Sequence, residues 1–264
     1  MAGFVLYVIV LYMNEEYIYG QHPIEEVLTR DPGRVEKVYF KDGISREKTN
    51  DLITMLQKNK IPFSYVPEAQ LNRMVRDGNT QGMVATIRPV AMLDFATWSK
   101  SMHHAGSFTD KPVCVVLFDE LQDPFNVGAI IRSGTAFGVT AFLFPKHNQV
   151  GITSTVMKAA AGTAGVVPLV SIGNVNTTVR ALKEYGFWVY GLSEKGDTLL
   201  SKEDFPRPTC IVVGNEDVGI RAKTFELCDT TLSIPMDNNV DSLNVSVSTA
   251  LALYEWKTNI LFYC

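Results

Sequence analysis

Along this chain, short apolar runs alternate with stretches in which apolar positions recur every three or four residues, and the alternation changes character near residue 112. Between residues 17 and 87 the pattern predicts a short helix over 22–28 and a strand over 35–40 in which apolar and charged residues take turns. An amphipathic helix over 46–58 follows, with Leu52, Ile53 and Leu56 inward, and then a strand over 62–66, a helix over 68–75 and a strand over 83–87. Such a compact α/β unit of about seventy residues is large enough to fold alone. Residues 89–111, with prolines at or next to both ends, read as a linker with one helical turn around 93–100. Past Lys111 nearly continuous apolar runs at 113–118, 141–144, 166–169, 187–191, 210–213 and 230–234 alternate with helical stretches. That arrangement predicts a parallel sheet covered on both faces, with ligands at the carboxyl ends of its strands.

The expected division is therefore an extension over 1–12, a first domain over 13–88, a linker over 89–111 and a second domain over 112–264. The first twelve residues are apolar but far short of the ~20 a membrane span needs, and they lack the basic start and small-residue cleavage site of a secretory signal. Met13 reads as a second, natural beginning, which makes 1–12 a loosely attached extension or an over-long start.

A hydrophobic content of 46% supports real cores, and 24 basic against 28 acidic residues argues against generic nucleic-acid binding through a large positive surface. Four cysteines, Cys114, Cys210, Cys228 and Cys264, form no CxxC pair, so reduced and mostly buried thiols in a cytoplasmic protein are expected. Neither the cysteines nor His22, His103, His104 and His147 have metal-ligand spacing, and no metal is expected.

Three junctions from strand to helix carry the candidate chemistry. In the first, Asp123-Pro-Phe-Asn-Val-Gly-Ala-Ile-Ile-Arg132, Asn126 is read as a helix N-cap. Arg132 would point about 140° away from Val127, off the apolar stripe, and so be free to face a site. In the second, Gly214-Asn-Glu216 with Gly219, a glycine directly after a strand allows close approach. In the third, Ile234-Pro-Met leads through a polar loop to Ser242-Leu-Asn-Val-Ser246. Ser242 is the expected cap of a helix so rich in Ser, Val and Thr that tertiary packing must hold it. Each junction also has a plain structural reading: a solvated arginine, a capped helix start, and a buried helix packed on the sheet.

The three junctions, in this order and spacing from Val113 to Trp256, resemble the motifs of the SpoU family of S-adenosylmethionine-dependent RNA ribose 2′-O-methyltransferases. The leading unit, with Tyr19-Gly-Gln-His-Pro23 and Thr80-Gln-Gly-Met-Val-Ala85, resembles the ribosomal-protein-like substrate-binding domain of the branch that methylates guanosines of 23S ribosomal RNA. The resemblance implies a deep trefoil knot in the second domain, a homodimer, and a methyl donor bound within the knot. It implies that Gly214, Ile234 and Leu243 hold the donor through backbone groups, and that Asn126, Arg132, Glu216, Ser242 and Asn244 face the ribose. Arg73, Arg76 and Gln81 become candidates for gripping RNA, with a solvated polar loop as the plain alternative.

Arg132 is the family's candidate base, an awkward role for a guanidinium that stays protonated, so electrostatic stabilisation of the developing alkoxide stands beside it. Asn215 and Asp217 depart from the small residues more familiar beside the family's glutamate. Two alternatives keep the fold, a transfer-RNA ribose methyltransferase and an inactive RNA-binding ribosome-assembly factor. A dinucleotide-dependent oxidoreductase would need a G-x-G-x-x-G after the first strand, which is absent.

Overall fold

A computed structural model describes residues 16–75, 79–88, 91–104, 112–237 and 242–263. The chain divides between Ala91 and Met92 into two compact units. The 1–12 extension and Arg76 lie outside the described residues.

The first unit runs β1 (Glu16–Tyr19), α1 (Gln21–Arg30), β2 (Val35–Lys41), α2 (Arg46–Lys58), β3 (Phe63–Val66), α3 (Glu68–Met74) and β4 (Met83–Ile87). Its sheet has the order β1-β4-β2-β3, with β2 and β3 parallel and the other pairs antiparallel. One face packs Val38, Phe40, Met83, Ala85 and Ile87 against Ile24 and Leu28 of α1 and Leu52 and Leu56 of α2. The other packs Val84 against Leu71 of α3. Covering both faces explains why every residue of β4 is buried.

The second unit opens with β5 (Met92–Asp94) and α4 (Phe95–His104), which replace the expected linker. β5 pairs in parallel with β8, and Asp94 takes the Thr97 N–H (2.9 Å) and hydroxyl (2.6 Å) at the start of α4, while Trp98 is buried in the core. Residues 92–104 of the expected linker thus form an edge strand and a helix, and residues 89–90 and 105–111 lie outside the described residues. Then come β6 (Cys114–Asp119), α5 (Pro124–Phe137), β7 (Ala141–Pro145), α6 (Ser154–Ala159), β8 (Leu169–Ile172), α7 (Val175–Glu184), β9 (Trp188–Leu192), β10 (Thr198–Leu199), β11 (Thr209–Gly214), α8 (Ala222–Phe225), β12 (Thr230–Ser233) and α9 (Val245–Tyr263).

The eight strands follow the order β10-β12-β9-β11-β6-β7-β8-β5, all parallel. β6 and β11 lie centrally, and their complete burial accounts for the unbroken apolar runs. β8 begins three residues later than the expected 166–169 run, because Gly165 is left-handed (φ 92°) and Val166, 64% exposed, closes a turn onto Thr163. Helices α5 and α6 approach so closely at Gly128 that an added Cβ would lie 2.4 Å from the Ala159 Cβ.

Helix α9 buries Thr249, Ala252, Leu253 and Trp256, spaced as one helical face, against the rest of the unit. Its hydroxyls turn inward on its own backbone, Thr249 to the Val245 carbonyl (2.7 Å) and Thr258 to that of Tyr254 (3.1 Å), which accommodates a composition of poor helix formers. Its opposite side leaves Val247, Leu251 and Tyr254 exposed at 47%, 40% and 52%. No helix among the described residues is long and apolar enough to cross a membrane.

Candidate active site at the strand ends

β6 and β11 end side by side, with Asp119 opposite Gly214, and the loops beyond them are tied together. Asp123, not Asn126, caps α5: its Oδ1 accepts the Phe125 N–H at 3.0 Å, with Pro124 at the first helical position. The cap thus lies three residues earlier than the one expected at Asn126, and the Asp-Pro pair was the signal for it. Asn126 is instead 7% exposed within the first turn, where its side-chain amide is free to link loops.

Glu216 accepts the backbone N–H of Asp123 (2.9 Å) and of Gln122 (3.2 Å) and the Asn126 Nδ2 (3.3 Å). It therefore satisfies the open end of α5 from a different strand, where a negative charge also meets the helix dipole. Asn244 completes the chain by donating from Nδ2 to Asn126 Oδ1 at 3.0 Å, across 118 residues of sequence. Its own Oδ1 accepts the Ser246 N–H (2.9 Å) and hydroxyl (2.6 Å), so Asn244 rather than the expected Ser242 caps α9. Three loops, after β6, after β11 and before α9, thus meet in one line of hydrogen bonds.

Partial burial pushes the Glu216 carboxyl up, but the N–H groups of Asp123, of Glu216 itself and of Gln122, with the Asn126 amide, outweigh it and hold the group below the usual glutamate range. Gly214 is obligatory, since a Cβ there would lie 2.2 Å from the Ile220 nitrogen and 2.3 Å from the Gly219 carbonyl carbon. The turn beyond it closes on itself, Asn215 N–H to Gly219 O at 3.0 Å and Gly219 N–H to Asn215 O at 2.9 Å.

Of the predicted residues, Asn126, Glu216 and Asn244 are in direct contact. Gly214 lies two positions before Glu216, Ser242 and Leu243 immediately precede Asn244, and Ile234 follows β12 half-buried. Arg132 stands apart: it is exposed on α5 and its side chain makes no hydrogen bond or ion pair among the described residues. In the first unit, Arg73 is exposed on α3, while Gln81 holds a left-handed backbone (φ 50°) and its Oε1 accepts the Gln21 N–H at the start of α1 (3.3 Å). Reading the sequence missed Asp119 and Arg221, whose pairing lies beneath this site, because nothing in their spacing joins them.

A family model described as the SpoU rRNA Methylase family matches residues 113–254, and one described as RNA 2′-O ribose methyltransferase substrate binding matches 17–93. The chain belongs to the SpoU methylase family. A relative named 23S rRNA (guanosine-2′-O-)-methyltransferase RlmB from Pseudomonas putida is 32% identical over 91% of this chain and 95% of its own length. One of the same name from Shewanella oneidensis is 33% identical over 92% and 96%. Among solved structures, the SpoU methyltransferase AviRb from Streptomyces viridochromogenes in complex with AdoMet shares the fold. Its TM-score is 0.71 at 23% identity, over 92% of this chain and 89% of that one.

The two junctions that carry Gly214, Ile234 and Leu243, over 214–219, 234–237 and 242–249, contain no lysine or arginine but include Glu216, Asp217 and Asp237, the arginine of the remaining junction being Arg132. Backbone, amide and carboxylate groups without a cation fit a sulfonium-bearing nucleoside and suit a dinucleotide's phosphates poorly.

Proposed function

We propose that the protein methylates the 2′-hydroxyl of a ribose in 23S ribosomal RNA, the target nucleotide being a guanosine, with S-adenosylmethionine as donor. The observation that carries this reading is the bonded line Glu216, Asn126, Asn244, which draws the three SpoU junctions to one place at the carboxyl ends of the sheet. The relatives named as 23S rRNA guanosine methyltransferases, matched over nearly their whole length, supply the substrate.

When bound, S-adenosylmethionine supplies an electrophilic methyl group. Gly214, Ile234 and Leu243 would hold it through backbone groups, and the absence of a side chain at Gly214 lets the turn close on Gly219 and Ile220. Glu216 fixes Asn126, and Asn244 fixes it from the other side, so that the face toward the ribose is preset before RNA arrives. Ser242, two positions before Asn244, is assigned to the same face. Arg132, with no partner of its own among the described residues, orients the RNA phosphate and stabilises the alkoxide that develops as the hydroxyl proton leaves. A flat pH–rate profile for Arg132→Lys is the outcome this role requires, whereas a rate that climbs steeply with pH would make Arg132 the base.

We further infer a trefoil knot and a homodimer. β12 inserts between β9 and β10 and α9 returns to pack on α5, the arrangement a threaded terminus needs. The apolar stripe Val247, Leu251 and Tyr254, with Phe137 of α5 edge-on to Tyr254 at 6.1 Å, is suited to a second copy. Arg73, Arg76 and Gln81 of the first unit contact RNA. The reading places the protein in the cytoplasm, in keeping with the buried free thiols of Cys114 and Cys210. Mapping 2′-O-methyl groups in a deletion strain tests the proposal: one guanosine methyl is lost from 23S ribosomal RNA, and loss from transfer RNA alone, or no loss, would overturn it.

A further inference from the structure

We propose that Arg221 is a positioning residue for methyl transfer, clamping the loop that carries Glu216 to the end of β6; the proposal rests on the methyl-transfer reading above. Asp119 closes β6 with its side chain completely buried. Arg221 takes that carboxylate from several directions: its backbone N–H reaches Oδ2 at 3.0 Å, Nε reaches Oδ1 at 2.8 Å, and Nη2 shares Oδ1. Its remaining arm, Nη1, meets Glu120 Oε1 at 2.6 Å.

The same two-residue segment is gripped from the start of the Glu216 turn, where Asn215 Nδ2 donates to the Glu120 carbonyl at 2.9 Å. Glu120 holds a left-handed backbone (φ 66°), and its carboxylate also accepts Asn148 Nδ2 at 3.2 Å from the loop after β7. Strained, multiply bonded strand ends of this kind persist where surrounding contacts over-determine them.

Glu216 therefore hangs between two anchors, Asn215 before it and Arg221 after it, both fastened to the end of β6. Its carboxylate then reaches forward to Gln122, Asp123 and Asn126. Arg221 touches none of the three bonded site residues; it sets where they stand. Charge alone would not do this. A guanidinium engages two carboxylates in a fixed plane while its own backbone N–H pins the chain direction, whereas an ammonium is a single point. Shifts of about 1 Å in such supports lower turnover about 10²-fold when chemistry depends on preset geometry.

The test compares full-length wild type with Arg221→Lys and with the charge-free pair Asp119→Asn/Arg221→Met. It measures donor affinity by calorimetry, thermal midpoint, and kcat and KM on ribosomal RNA from a deletion strain. Arg221→Lys is expected to lose about tenfold in kcat and in donor affinity while KM for RNA stays within about twofold. The charge-free pair is expected to recover the thermal midpoint but not kcat. Recovery of wild-type kcat by that pair, or unchanged donor affinity and kcat in Arg221→Lys, would overturn the clamp and leave Arg221 only as the neutraliser of a buried charge. A wild type that binds donor yet methylates no ribosomal RNA would instead sink the substrate reading, while the clamp is still decided by the donor affinities.

Discussion

At the ends of β6 and β11 the loops of the second unit are fastened largely through carboxylates, whereas the turn leading into β4 of the first unit is fastened through neutral amides and hydroxyls, its guanidinium bonds from Arg34 to the Arg88 carbonyl lying beyond the far end of that strand. At the end of β6, Asp119, Glu120 and Glu216 collect guanidinium, backbone and amide donors from three separate segments. At the start of α1, Gln81 takes the Gln21 N–H at 3.3 Å, and the surrounding turn rests on Asn79 and Thr80 at 3.2 Å each. The first unit's ion pairs, Lys41 with Glu68 and Arg88 with Glu36, are surface-exposed and contribute little. Charge-assisted bonds are about twice as strong as neutral ones. The strand ends of the second unit are thus held by stronger bonds than the turn that leads into β4 of the first.

The sharpest way to break that contrast is Gly214→Ala. The new methyl would meet backbone at 2.2 Å, so the turn must move. Calorimetry is expected to detect no donor binding, turnover to fall at least ~10²-fold, and stability to drop by ~1–3 kcal/mol. Intact donor affinity would mean that the turn is not part of the pocket.

Next in size is Glu216→Gln, which leaves the α5 donors with a weaker acceptor and costs ~1–2 kcal/mol in denaturant unfolding. Because the folded carboxyl titrates below the usual glutamate range, its contribution is fully present above that range and is lost as pH falls through the lower folded value. The stability gap between wild type and variant should be constant near neutral pH and close only under more acidic conditions. A gap that closed at or above the usual glutamate range would contradict the arrangement.

The smallest effect belongs to the first unit. Gln81→Ala removes one neutral cap, costing ~0.5 kcal/mol and raising KM for RNA about threefold, with donor affinity unchanged. A larger loss than in Glu216→Gln would erase the distinction between the two regions.

Much of the scaffold was legible because buried parallel strands require unbroken apolar runs, and β6, β9 and β11 supply them. β5 and β10 were not legible, since an edge strand of two or three residues with one polar member has no period to detect. The site divides in the same way. Gly214 and Glu216 stood out beside a strand end, but the contact of Asn126 with Asn244 and of Asp119 with Arg221 spans more than a hundred residues. Local pattern holds no trace of such pairings; family resemblance pointed to the first of them, and only the fold revealed the second.

The place of β12 has a consequence for biosynthesis. It separates β9 from β10, although both precede it in the chain, and Asn244 follows it. A nascent polypeptide leaving the ribosome from its amino end can assemble β5 to β8 early, but β9 has no neighbour until β11 emerges and β10 none until β12 does. A chain cut short before Asn244 therefore lacks the last member of the hydrogen-bonded line through Asn126 and Glu216, so the strand ends reach their final arrangement only when the tail of the protein has been made.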